Sequence, residues 1–93
     1  MKAKTSIILI TTDKHVYYAK SIKTNITELS FPYSLKYNNR QILLNKNNMA
    51  MYFIKDCVNN TVYMWEKGDK TTTVGNDLSS NQDFNKIVQH FFK

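Results

Sequence analysis

Apolar and polar positions alternate along most of this chain at the period of a strand. Thr5 to Thr12, TSIILITT, is β-branched and apolar, as a buried strand should be. Asp13-Lys14 reads as a short turn into a second strand, HVYYAKSI, residues 15–22. Along it Val16, Tyr18 and Lys20 point one way, and His15, Tyr17 and Ala19 the other. In residues 24–37 Pro32 blocks a continuous helix and pushes Phe31 towards extended backbone. That leaves a short helical turn over 25–30 and an irregular edge strand over 33–37 as alternatives.

Asn38-Asn39 supplies the next turn, because Asn tolerates a left-handed backbone. RQILLN, 40–45, is a strand, and Lys46-Asn47-Asn48 turns the chain again. MAMYFIKDCV, 49–58, is the longest strand and is apolar on both faces, which places it centrally in its sheet. Asn59-Asn60 then closes a hairpin to TVYMWEK, 61–67. A two-residue loop there pairs Val58 with Thr61, Asp56 with Tyr63 and Ile54 with Trp65. Paired residues share a face. Tyr52, Ile54, Asp56, Tyr63 and Trp65 therefore line one side, and Phe53, Lys55, Cys57, Val62 and Met64 the other. The second, more aliphatic set is expected to be core, and the first a half-wet surface with Tyr63 and Trp65 partly exposed.

Residues 68–77 read as a loop. Beyond it the period changes. Phe84, Ile87, Val88 and Phe91 recur at helical spacing, Ser80 stands as N-cap, and Asp83 follows three residues later. The predicted fold is α+β: a single-domain antiparallel β-meander of about five strands, with one C-terminal α-helix packed on one face.

Composition changes this picture in two ways. Only two Gly and one Pro are available for turns, so the eleven Asn must make them. The net charge of +6 points to an anionic partner. The excess sits in the first part of the chain: residues 1–55 carry net +7 and residues 56–93 net −1. Against a functional origin, twelve of the thirteen basic residues are Lys. Lys, Asn, Ile, Tyr and Phe fill 42 of 93 positions, as an AT-rich genome would dictate by itself.

Candidate chemistry is sparse. His15, His90, Cys57 and the seven carboxylates show no metal-ligand spacing, and Gly68 and Gly75 form no phosphate loop. No small-molecule cofactor is expected. A lone Cys57 cannot make an internal disulfide, which favours a cytoplasmic setting. The apolar run Ile7–Ile10 is too short for a signal peptide core or a membrane span. What remains is a set of aromatics flanked by cations: Lys14, Tyr17, Arg40, Lys46, Tyr52, Tyr63, Trp65 and Lys67 are the candidate binding residues.

Three functions follow. The first is a non-enzymatic accessory factor of the phage or mobile-element type, which binds and inhibits or modulates a host macromolecule, with or without RNA in the complex. The second is a stand-alone module for RNA or another single-stranded nucleic acid, with bases stacked on the aromatics. The third is a small basic ribonuclease toxin, disfavoured by the single Arg and by a chain that leads with strands. A homodimer through a sheet edge or the aromatic face is a further expectation.

Overall fold

The computed structural model describes residues 3–75. These form strands β1 (Thr5–Thr11), β2 (Val16–Ser21), β3 (Tyr33–Tyr37) and β4 (Arg40–Leu44), followed by a 3-10 turn (Lys46–Asn48). Three more strands complete the set: β5 (Met49–Asp56), β6 (Thr61–Glu66) and β7 (Thr73–Gly75). An antiparallel five-stranded sheet runs in the order β2-β1-β5-β6-β7, and β3 and β4 make a separate two-stranded sheet.

This corrects the expected α+β meander. The described residues are built of strands with no α-helix among them. The expected helix, with Phe84, Ile87, Val88 and Phe91, lies outside the described residues. The strand order also departs from a meander, because β1 sits between β2 and β5 rather than at an edge. The cause is the apolar character of β1 on both faces: Ile7 and Leu9 belong to one buried cluster and Ile8 to the other. At an edge such a strand would leave one flank unpaired and wet. Pairing with β5 removes that exposure. The chain between β2 and β5 is left to form the β3–β4 hairpin.

Cross-strand pairing lines up rows of side chains. Tyr17, Leu9, Tyr52 and Trp65 form one row; Ala19, Ile7, Ile54, Tyr63 and Val74 form the next. Both rows, except the exposed Val74, join Leu29, Leu35, Leu44 and Met49 in the main core on the side of the β3–β4 layer. On the opposite face Ile8, Phe53 and Val62 are buried, with Ile10, Tyr18, Met51 and Met64 packed around them.

The hairpin lies across the main sheet. Its tip brings Tyr37 to Tyr17 on β2, with ring centroids 5.2 Å apart, while Phe31, just before its base, packs at 6.4 Å from Trp65 on β6. The segment before it is pinned to the sheet by polar contacts. The Leu29 N–H donates to the Tyr52 hydroxyl at 3.2 Å, and the Thr72 hydroxyl donates to the Thr27 carbonyl at 2.8 Å. Residues 25–30 form no helical turn, so the edge-strand alternative over 33–37 is the one observed; Phe31-Pro32 is a cis peptide.

The β5–β6 register differs from the expected one by two residues. Asp56 pairs with Thr61, Ile54 with Tyr63 and Tyr52 with Trp65, so the loop spans 57–60. A shift of one residue would have exchanged the faces; a shift of two preserves them. The two side-chain sets are therefore as read from sequence. Their environments match only in part: Phe53 and Val62 are buried and Tyr63 is half-buried, as expected, but Tyr52 and Trp65 are buried at 1% and 3% exposure. The β3–β4 layer covers the face that was expected to be wet.

Candidate functional site

The Asn38-Asn39 turn shapes the site. Both residues have positive φ, 52° and 64°, and Tyr37 pairs directly with Arg40 across them. Two left-handed residues make the tight turn whose twist matches a hairpin, and Asn bears that conformation better than other non-glycine residues. Alternation along the hairpin then decides direction. Tyr33, Leu35, Tyr37, Arg40, Ile42 and Leu44 share one face, because they pair among themselves and include the buried Leu35 and Leu44. Arg40 is thus turned to the same side as the core residues, but at the tip, where the hairpin reaches the sheet edge.

The β1–β2 turn supplies the opposite wall. Lys14 takes the left-handed position, φ 70°, and the Thr11 N–H donates to the His15 carbonyl at 2.9 Å. The Thr11 hydroxyl donates to the Asp13 carboxylate and accepts the His15 N–H at 3.1 Å. Asp13 also holds the His15 ring, Nδ1 to Oδ2 at 3.0 Å. The Thr11 hydroxyl, and after it the His15 ring, hold the Asp13 carboxyl below its usual range.

Between the two walls lies a cleft of about 480 Å³, with His15, Val16 and Tyr17 on one side and Tyr37, Asn38, Arg40 and Ile42 on the other. Tyr17 and Tyr37 meet edge to face at 87°, and the His15 and Tyr17 rings lie 6.2 Å apart. Tyr37 remains 40% exposed and Val16 39%. The cleft combines two aromatic surfaces, a guanidinium, an amide and an imidazole. Such a set can stack a planar group and hold an anion beside it.

The eight sequence-predicted residues divide accordingly. Tyr17 and Arg40 line the cleft, and Lys14 neighbours it through His15. Tyr52 and Trp65 are core, their rings stacked at 5.3 Å and 15°, and the Trp65 indole N–H donates to the Asp69 carbonyl at 2.9 Å. Tyr63 packs against the same core from a half-buried position. Lys46 stands with Nζ 5.8 Å from the Trp65 ring centroid, and Lys67 Nζ donates to the Asn47 carbonyl at 3.3 Å.

Tyr37, Asn38 and His15 line the cleft but are not among the eight residues named from sequence. The signal was present. A two-residue Asn-Asn turn makes Tyr37 and Arg40 partners on one face, which unites an aromatic and the single Arg.

Charge does not mark the site by itself. Lys20 and Lys55 lie in one row on the far face, Lys4 and Lys23 lie near the end of the sheet opposite Lys14, and Lys36 is on the outer side of the hairpin. Among the described residues no group of histidine, cysteine and carboxylates is placed to hold a metal, and no helix is long and apolar enough to cross a membrane. No protein-family model matches the chain, and neither a curated protein nor a solved structure does.

Proposed function

We propose that this is a small non-enzymatic binding protein whose ligand is single-stranded RNA, taken by the cleft between the β1–β2 turn and the tip of the β3–β4 hairpin. The observation that carries the reading is the meeting of Tyr17, Tyr37 and Arg40 in one open cleft. A base stacks on tyrosine and a phosphate takes the guanidinium, which needs an unpaired strand whose bases are free to turn out. The Asp13–His15 pair is assigned to shaping the turn rather than to proton transfer. Both side chains are 68% exposed, and Thr11 organises them as part of the hairpin loop. The free, exposed Cys57, the chain's single cysteine, supports a cytoplasmic setting.

Anisotropy of a labelled eight-nucleotide RNA tests the proposal. Tyr37→Ala should weaken binding by the loss of one stack, ~1–3 kcal/mol or roughly 5- to 150-fold. Arg40→Ala should weaken it and lower the log–log salt slope by about 0.7. Emission from Trp65, a core residue remote from both positions, reports whether each variant is folded. Absence of binding at low salt, or wild-type affinity in both variants, refutes the reading.

A second reading is a phage- or mobile-element-type accessory factor that occupies a host protein. It is favoured by the exposure of Tyr37 and Val16 beside Arg40, since tyrosine and arginine are preferred interface anchors. A protein retained from lysate after nuclease treatment, and lost with Tyr37→Ala, would select it over RNA.

A further inference from the structure

The fold gathers other cations at the end of the sheet where the cleft opens. β1 and β5 are antiparallel neighbours, so the turn after β1 lies beside the turn before β5; the Thr12 N–H donates to the Asn48 carbonyl at 2.8 Å. β5 and β6 are antiparallel in turn, so the end of β6 lies beside the same 3-10 turn. There the Lys67 N–H donates to the Ala50 carbonyl at 2.8 Å. Lys14, Lys46 and Lys67, distant in sequence, therefore stand in that order along one rim. The row Tyr17–Leu9–Tyr52–Trp65 gives the scale: Trp65, under Lys46, is three strands from Tyr17, about 14 Å at a spacing of ~4.8 Å.

Among the described residues, three carboxylates belong to the turns and strand end here. Asp13 is engaged by Thr11 and His15. Glu66 lies in the row of Met51, on the opposite face of the sheet. Asp69 accepts the Glu66 N–H at 3.0 Å. Lys46 and Lys67 are held where they stand, the first over an indole ring and the second on a backbone carbonyl.

We propose that the RNA strand does not end in the cleft but runs along this rim, with two further phosphate contacts, one at Lys46 and one at Lys67. This rests on the RNA-binding reading of the cleft. It predicts that affinity grows with strand length in a way that depends on two lysines outside the cleft.

The test compares two-nucleotide and eight-nucleotide oligouridylates on the wild-type chain and on the double variant Lys46→Gln, Lys67→Gln, with folding followed by Trp65 emission. The double variant should bind the dinucleotide as the wild type does. It should lose roughly tenfold on the octanucleotide, with a salt slope lower by about 1.4 for two phosphates on a single strand. Wild-type affinity and slope on the octanucleotide would overturn the rim path while the cleft, tested by Tyr37→Ala on the dinucleotide, still stands. No binding of either length to the wild-type chain would remove the cleft reading and the rim path together.

Discussion

Asn38-Asn39 and Asn59-Asn60 are the same dipeptide between paired strands, yet the first closes a two-residue loop and the second ends a four-residue one. In the first pair both residues are left-handed; in the second only Asn60 is, at φ 53°. The difference comes from the residue at the strand end. Asp56 is 1% exposed, and its carboxylate accepts the N–H groups of Val58 and Asn59 at 3.0 and 3.1 Å and the Asn59 amide at 2.9 Å. A buried carboxylate needs such donors. Drawing three of them inward curls residues 57–60 around it and ends the pairing at Thr61. Tyr37, at the end of β3, makes no such demand, so its turn keeps the backbone minimum. One turn is written by the dipeptide, the other by a neighbouring side chain.

Removing the carboxylate should break the comparison most severely. Asp56→Ala leaves several inward-turned donors without an acceptor, and should cost about 3 kcal/mol of stability, read as a lower urea midpoint. The same group gives the fold a pH dependence. Burial pushes the Asp56 carboxyl up, but the Asn59 side chain and the N–H groups of Asn59, Val58 and Asn25 outweigh it, and the carboxyl lies below its usual range. The unfolded chain therefore binds this proton at a higher pH than the folded chain does. Stability from this source should be complete above the unfolded value of about 4 and fall as the pH drops through the lower folded value. The urea midpoint should decline between pH 5 and 3 in the wild type, and less steeply in Asp56→Asn.

Much of the fold was legible before the structure. The strands are marked by alternation and β-branching, and their turns by Asn. Of the six positions with positive φ among the described residues, four are Asn25, Asn38, Asn39 and Asn60, and the other two are Lys14 and Gly68. Side-chain sets on β5 and β6 were also readable, since parity survives a two-residue register shift. What was hidden depended on contacts far apart in the chain. The position of β1 was signalled by apolar residues on both its faces, but its partner, β5, is reached only after the hairpin. Which face of β5–β6 is covered depends on where β3–β4 docks, and no local pattern states that. The candidate cleft follows the same division: Tyr17 and Arg40 are among the residues named from sequence, whereas their meeting with Tyr37 required the hairpin to be laid across the sheet.

Alanine should cost the two turns similar stability, but only at the first should the loss reach the cleft. Asn38→Ala places a Cβ in left-handed backbone without the polar side chain that eases it, and should cost about 1 kcal/mol. Because the turn aims both Tyr37 and Arg40, RNA affinity should fall as well, in a protein whose Trp65 emission is that of the wild type. The equivalent Asn60→Ala should cost about the same stability and leave RNA affinity unchanged, since the 57–60 loop lies at the other end of the strands from the cleft. Equal losses of affinity in both variants would show that the effect is global destabilisation.

The sharpest test is a contrast between the same substitution at the two turns. Glycine relieves left-handed backbone but adds freedom to the unfolded chain, so at Asn38 the two terms nearly cancel and Asn38→Gly should lie within about 0.5 kcal/mol of the wild type. Asn59 is not left-handed, so glycine brings no relief there. It removes the amide that donates to Asp56 and adds the same unfolded-state freedom, and Asn59→Gly should cost about 1–2 kcal/mol. In an Asp56→Ala background the amide keeps only its 3.4 Å bond to the Asn25 side chain, and the cost of Asn59→Gly should shrink towards the backbone term. A double-mutant cycle in urea reads that coupling directly. If the cost of Asn59→Gly is the same in both backgrounds, Asp56 does not organise the second loop, and the difference between the two Asn-Asn turns has another cause.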